Sequence, residues 1–195
     1  ESEASLVASA ADSGKWVPLS PELNEVIGAC DRWNRVSDGA FDASLGAVTR
    51  LRRKRKLPGP ADWQLANSCA GWRFVHHDVE KRLVRFDRPG IRFDFGAIGK
   101  GWVVDRAFEF LQSSKIFCCS VNFSGNMRFG EAPPNTTGWP VSIESCAIDH
   151  SAENHDIAHL RLANKSISTS GNRWQRFPDQ RSRTLTETSS HVIDP

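Results

Sequence analysis

Tyrosine is absent from the 195-residue chain, and methionine occurs once. No stretch approaches the roughly 18 consecutive apolar residues of a bilayer-spanning helix, so no transmembrane helix is expected. The five cysteines, Cys30, Cys69, Cys118, Cys119 and Cys146, form no C-x-x-C pair and are odd in number. That pattern argues against a zinc centre or a disulfide framework and leaves buried free thiols as the expectation. An excess of charge is lacking too: 25 Lys and Arg stand against 23 Asp and Glu, a formal net charge of +2. Composition therefore gives no reason to expect nucleic acid or an anionic membrane as partner. Neither of the two common phosphate loops, G-x-G-x-x-G or G-x-x-x-x-G-K-[ST], is present.

What the chain does have is enough apolar content, 39%, for one domain or two closely packed halves. Residues 17–39 read as a helix, with Ser20 as N-cap and Pro21 at the first helical position. Leu23, Val26, Ile27, Cys30 and Trp33 would form its apolar face, and Gly39 its stop. The basic and then proline-rich run from Arg50 to Trp63 reads as a loop. Alternation in "RLVRFDRPGIRFDF" predicts a hairpin about Arg88-Pro89-Gly90. Val103, Val104, Ala107, Phe108 and Leu111 fall at helical spacing, and "KIFCCSVNFSG" reads as a buried strand ending at a glycine turn. "GWPVSIES", "IAHLRLANKSIST" and "SSHVIDP" predict further strands. This irregular order of helices and strands points to an α+β fold with mixed, largely antiparallel sheets.

Between the alternating run and the second helix lies "DFGAIGKG", Asp94 to Gly101. The backbone N–H groups of Gly99, Lys100 and Gly101 would be unpaired at a helix start near Gly101, where the helix dipole is positive. Lys100 adds a full charge, and together these suit an anion. An ordinary strand-to-helix connection with strain-relieving glycines explains the same residues.

Four other stretches are informative in combination: "SDGAFDASLG", "FSGNMRFG", "STSGN" and "SHVIDP". Taken in order with "DFGAIGKGWVVD", they resemble the ApbE-like flavin transferase family across essentially the whole chain. The resemblance implies residues 1–195 to be a single flavin transferase domain that uses FAD and Mg²⁺. It implies FAD contacts at Ala40, Phe41, Asp42, Asp94, Lys100 and Ile193. It implies a metal-ligating carbonyl at Ala97 and a catalytic base at His191. Asp42 and Asp94 have a plainer role open to them, since a turn aspartate commonly bonds its own backbone. The implied activity is transfer of FMN from FAD to a Thr or Ser hydroxyl of a target flavoprotein, with release of AMP. The same site with water as acceptor would be a Mg²⁺-dependent FAD pyrophosphatase, and a third reading is a non-catalytic FAD-binding protein. Family members are commonly exported and lipid-anchored, which implies the cell envelope, on the periplasmic side.

Some of the family's pattern has no counterpart here. A D-[AG]-x-[AS]-T motif supplies metal ligands beyond the H-[IV]-[IL]-D-P strand, and an N-terminal strand region carries a Met and a Tyr near FAD. Without them the chain reads as the middle of a longer protein or a shortened member. "LRRKRKLPGP" stands where the family has apolar residues. It reads as a solvated loop or as a docking patch for an acidic partner, with no aromatic interleaving to suggest nucleic acid.

Overall fold

The computed structural model describes residues 2–53, 58–144, 156–170, 177–178 and 188–189. They fall into two compact units, one of Glu1–Ile98 with Phe177–Pro195, the other of Gly99–Arg176.

The first unit opens with α1 (Glu3–Ala11), which sequence periodicity had not suggested. Ser2 caps it by accepting the Ser5 N–H at 3.3 Å. After β1 (Val17–Pro18) comes α2 (Pro21–Val36), starting where Ser20 and Pro21 predict. The Ser20 hydroxyl accepts the Leu23 N–H at 3.1 Å and donates to Glu3 at 2.7 Å, so one residue caps α2 and ties it to α1. Leu23, Val26, Ile27 and Cys30 are buried as expected, but Trp33 is 46% exposed and lies off the core face.

Of the expected loop from Arg50 to Trp63, Arg50–Arg52 and Pro60–Trp63 are helical instead, and residues 54–57 lie outside the described residues. Helix α3 spans Gly46–Arg52 and α4 spans Pro60–Ser68. Pro60 sits at the first helical position, and the Asp62 carboxylate accepts the Gly59 N–H at 2.8 Å. The proline read as a loop marker is thus a helix start. Val48, Leu51 and Ala66 bury a small core between the two helices.

A single turn of 3₁₀ helix (Trp72–Phe74) leads into β2 (Val75–Asp78), which pairs antiparallel with β3 (Leu83–Phe86). The hairpin is therefore β2–β3, one strand earlier than predicted, and β1 completes a sheet of order β1-β3-β2. Beyond Gly90 the chain does not return as a strand of that sheet. It makes one isolated parallel bridge, Arg92 to Leu45. The alternation was real but served another purpose: Val84, Phe86 and Ile91 fill the core, and Phe93 packs edge-on against Phe86 at 5.4 Å. A two-stranded pair, β9 (Phe177–Pro178) with β10 (Thr188–Ser189), also belongs to this unit.

The second unit begins at α5 (Gly99–Ser113), two residues earlier than the expected start near Gly101. Val104 and Phe108 are its buried residues. The helix packs on β4 (Ser120–Phe123) and β5 (Asn126–Phe129), in a sheet of order β4-β5-β8 with β8 at Lys165–Ser168. Ser124 and Gly125 both have positive φ, 54° and 83°, which suits a two-residue hairpin connection. The predicted buried strand over "KIFCCSVNFSG" shrinks to β4, and its apolar residues are largely exposed: Ile116 46%, Phe117 42%, Phe123 50%. A two-stranded antiparallel sheet, β6 (Trp139–Glu144) with β7 (Asp156–Leu162), also belongs to this unit.

The α+β expectation holds, with helices and antiparallel sheets in both units. Buried free thiols hold for Cys30 but not for Cys118, which is exposed; Cys69 and Cys119 are half-buried, and Cys146 lies outside the described residues. Among the described residues no helix is long and apolar enough to cross a membrane.

Candidate functional site: the aspartate turns and their groove

The Ala40-Phe41-Asp42 stretch follows α2 directly. Gly39, at φ 84°, turns the chain, and its N–H donates to the Asn34 carbonyl at 2.8 Å. The Ser37 hydroxyl then accepts the Phe41 N–H at 2.9 Å, and the Asn34 side chain donates to the Phe41 carbonyl at 2.7 Å. Asp42 is held more tightly. One carboxylate oxygen accepts the Ser44 N–H (2.7 Å) and the Ser44 hydroxyl (2.6 Å), and the other accepts the Trp72 N–H (3.0 Å). Ser44 is fully buried and in turn accepts the Gly71 N–H at 2.8 Å. Asp42 is thus a node that ties the turn to the start of the 3₁₀ segment.

The next motif residue, Gly46, is where two segments meet. Its N–H donates to the Arg92 carbonyl at 2.8 Å. A Cβ at this position would lie 2.5 Å from that oxygen and 2.7 Å from the Phe93 carbonyl oxygen. Only glycine lets the chain run this close. The neighbouring bond from Asp94 N–H to the Ala43 carbonyl, 2.8 Å, fixes Asp94 beside the first turn. Two stretches separated by some fifty positions in sequence are thereby joined into one surface.

Asp94 itself bonds its own turn: one oxygen accepts the Gly96 N–H at 2.8 Å, and the other lies 3.9 Å from the Arg53 guanidinium. Asp94, Arg53, Arg50, Arg92, Phe95 and the serines that open α1 surround a groove of about 310 Å³. Arg92 is committed to Asp12 through two bonds of 3.0 and 2.8 Å. Burial opposes ionisation of Asp12, but the bonds from Arg92 and the Gly90 N–H outweigh it and hold the carboxyl below the usual 3.8. The Phe95 ring stacks on Phe93 with centroids 5.2 Å apart, offering a flat apolar face in the groove.

Lys100 stands in the first turn of α5, in the second unit, with the N–H groups of that helix start around it. Ala97 is an exposed turn residue. His191 and Ile193 lie outside the described residues. Among the described residues no group of three or more His, Cys, Asp or Glu side chains could hold a metal ion. The Ala97 carbonyl contributes one neutral oxygen, so the described residues do not by themselves fit a Mg²⁺ site, which needs near-octahedral oxygen coordination and usually carboxylate charge.

The whole chain, residues 1–195, matches the model of the ApbE family. The chain belongs to that family. The FAD:protein FMN transferase of Chlamydia muridarum is 27% identical over 185 residues, covering 92% of this chain and 53% of that protein. The protein of the same name from Vibrio cholerae is 26% identical, covering 91% of this chain and 52% of its own length. Among solved structures, the flavin transferase ApbE from Vibrio cholerae superposes with a TM-score of 0.78 at 21% identity, over 96% of this chain and 59% of that one. The ApbE protein of Thermotoga maritima gives 0.81 at 20% identity, over 99% and 60%. The fold is therefore the ApbE fold, and the chain spans about half the length of the curated relatives it matches.

Family motifs pointed to Asp42 and Asp94 but not to their partners. Ser44 was legible, because Asp-x-Ser is the pattern of an aspartate turn. Arg53 and Arg92 carried no such signal, since only the tertiary contacts bring them to the groove.

Proposed function

We propose that the whole protein moves FMN from FAD onto a Thr or Ser hydroxyl of a target flavoprotein and releases AMP. The match of all 195 residues to a family whose relatives are named FAD:protein FMN transferase carries this reading. The groove beside Asp94 supports it, because arginines, hydroxyls and a stacked phenylalanine suit a ligand with aromatic ends and an anionic pyrophosphate.

In this reaction the acceptor oxygen forms a bond to the FMN phosphorus, and the bond from that phosphorus to the oxygen bridging to AMP breaks. The hydroxyl proton goes to a base, assigned to His191 by resemblance; an imidazole near its ordinary pKa of about 6.5 suits that task at neutral pH. Lys100 and the N–H groups at the start of α5 supply fixed positive potential for phosphate charge. The expected roles of Ala40, Phe41 and Ile193 are in holding FAD. Mg²⁺ dependence, with Ala97 as one ligand, belongs to this reading through the resemblance. The described residues do not complete a Mg²⁺ site. The cell envelope is the compartment expected from the same resemblance.

The test is incubation of the full-length protein with FAD, Mg²⁺ and a candidate acceptor, with and without chelator. Flavin fluorescence bound covalently to the acceptor is expected, lost on chelation. His191→Ala should keep FAD bound while transfer falls by roughly 10²–10⁴-fold. Free FMN and AMP with no labelled acceptor would replace transfer by hydrolysis, and unchanged bound FAD would rule out both.

A further inference from the structure

We infer that Arg53 and Arg50 form a cationic clamp on the pyrophosphate of FAD, in the groove beside Asp94. This rests on the reading that the protein binds FAD; Arg53, though not Arg50, falls in the stretch where the resemblance leads one to expect apolar side chains.

Arg50 lies in the last turn of α3, and Arg53 is its C-cap with helical backbone angles, φ −80° and ψ −6°. Residues three apart on a helix share a face, so both guanidiniums project from one side of α3. That side is the groove, which both line. Arg92 also lines it but is neutralised by its paired bonds to Asp12. Arg53 meets Asp94 only at 3.9 Å, beyond hydrogen-bond reach, and its side chain is 68% exposed. It offsets the Asp94 charge while keeping its donors available. With Arg50 it leaves the groove net positive. Two planar forks on one face match the two linked phosphates of a dinucleotide, because guanidinium is the side chain suited to paired donation to phosphate oxygens. The hydroxyls of Ser2, Ser5 and Thr49 stand on the same walls, and the Phe95 ring gives one aromatic end of the ligand a surface to stack on.

The arginines have a plainer use: positive charge complements the carboxyl end of α3. The two roles separate experimentally. Dissociation constants for FAD, ADP and riboflavin would be measured by fluorescence and calorimetry at low and high salt. The proteins are the full-length form, Arg53→Gln, and the double variant Arg50→Gln/Arg53→Gln, with melting midpoints in parallel. The double variant should weaken FAD and ADP by about ten-fold or more at low salt, with a smaller difference at high salt, and leave riboflavin unchanged. Unchanged FAD and ADP affinity with a lowered melting midpoint would assign the arginines to α3 and overturn the inference. Equal weakening of riboflavin would overturn it as well, as general damage to the groove. Unchanged FAD affinity with lost transfer would move them to an acidic acceptor surface and also overturn it. Failure of the unsubstituted protein to bind FAD would overturn the proposed function and this inference with it, whereas the other outcomes leave the proposed function standing.

Discussion

Replacing Asp42 by alanine separates a structural role from a ligand-binding one, because its bonds are accounted for within the protein. The carboxylate accepts three hydrogen bonds, from the Ser44 N–H, the Ser44 hydroxyl and the Trp72 N–H. Each such bond to a charged group is worth about 1.5–3 kcal/mol, and contributions that share one carboxylate do not simply add. Ser44 is fully buried, so water cannot readily take over its lost partner. A loss of about 3 kcal/mol is the lower end of the expectation. For a chain of this size it corresponds to a drop of roughly 6–12 °C in melting midpoint. Asp42→Asn should fall between: its amide oxygen can still serve Ser44, but its NH₂ would face the Trp72 N–H, donor against donor. Thermal unfolding followed by circular dichroism reads the first quantity, and FAD titration at a temperature where every variant is folded reads the second. If the alanine variant melts with the unsubstituted protein and instead loses FAD affinity, the node described here is wrong and Asp42 is a ligand contact.

Gly46→Ala should destabilise by about 1–3 kcal/mol or more through overpacking, since the Arg92 and Phe93 carbonyls around the new methyl group are backbone; urea denaturation checks this, and an unchanged midpoint would refute the close approach. Lys100→Ala should weaken FAD binding by about 10–150-fold, the equivalent of roughly 1.5–3 kcal/mol for one charge-assisted phosphate contact, without changing the fold. Asp12 has its pKa lowered by folding, so the unfolded chain binds its proton first and the Asp12–Arg92 contribution is complete above the ordinary carboxylate range. It is lost as pH falls through the depressed folded value; Asp12→Asn should flatten that part of an acid-unfolding curve, and parallel curves would refute the linkage. Alkylation of the native protein, read by peptide mass spectrometry, should label exposed Cys118 early and Cys30 last, because burial, then the charges of Asp31 and Asp42, push the Cys30 thiol up to about 12; early labelling of Cys30 would contradict that.

Features that depend on neighbours in sequence were legible without a structure. Ser20 and Pro21 set the start of α2, the apolar spacing of Val104 and Phe108 gave α5, and the glycine-lysine turn fell at a helix start as its composition requires. Such signals are local, since a cap bonds the backbone a few residues on and a helix face repeats every three or four. The motifs likewise gave family membership, because each is a short run of fixed order. Other features depended on which distant segments meet. Alternation around Arg88-Pro89-Gly90 could not say whether Ile91 and Phe93 pair in a sheet or fill a core, since both need an apolar residue at every second position. The proline at position 60 reads equally as loop or helix start until Gly59 finds Asp62. Most of all, nothing local marks Arg53 as a neighbour of Asp94. Their proximity follows from Gly46 lying against the Arg92 carbonyl and Asp94 bonding Ala43, contacts between separate segments that only the packed chain creates.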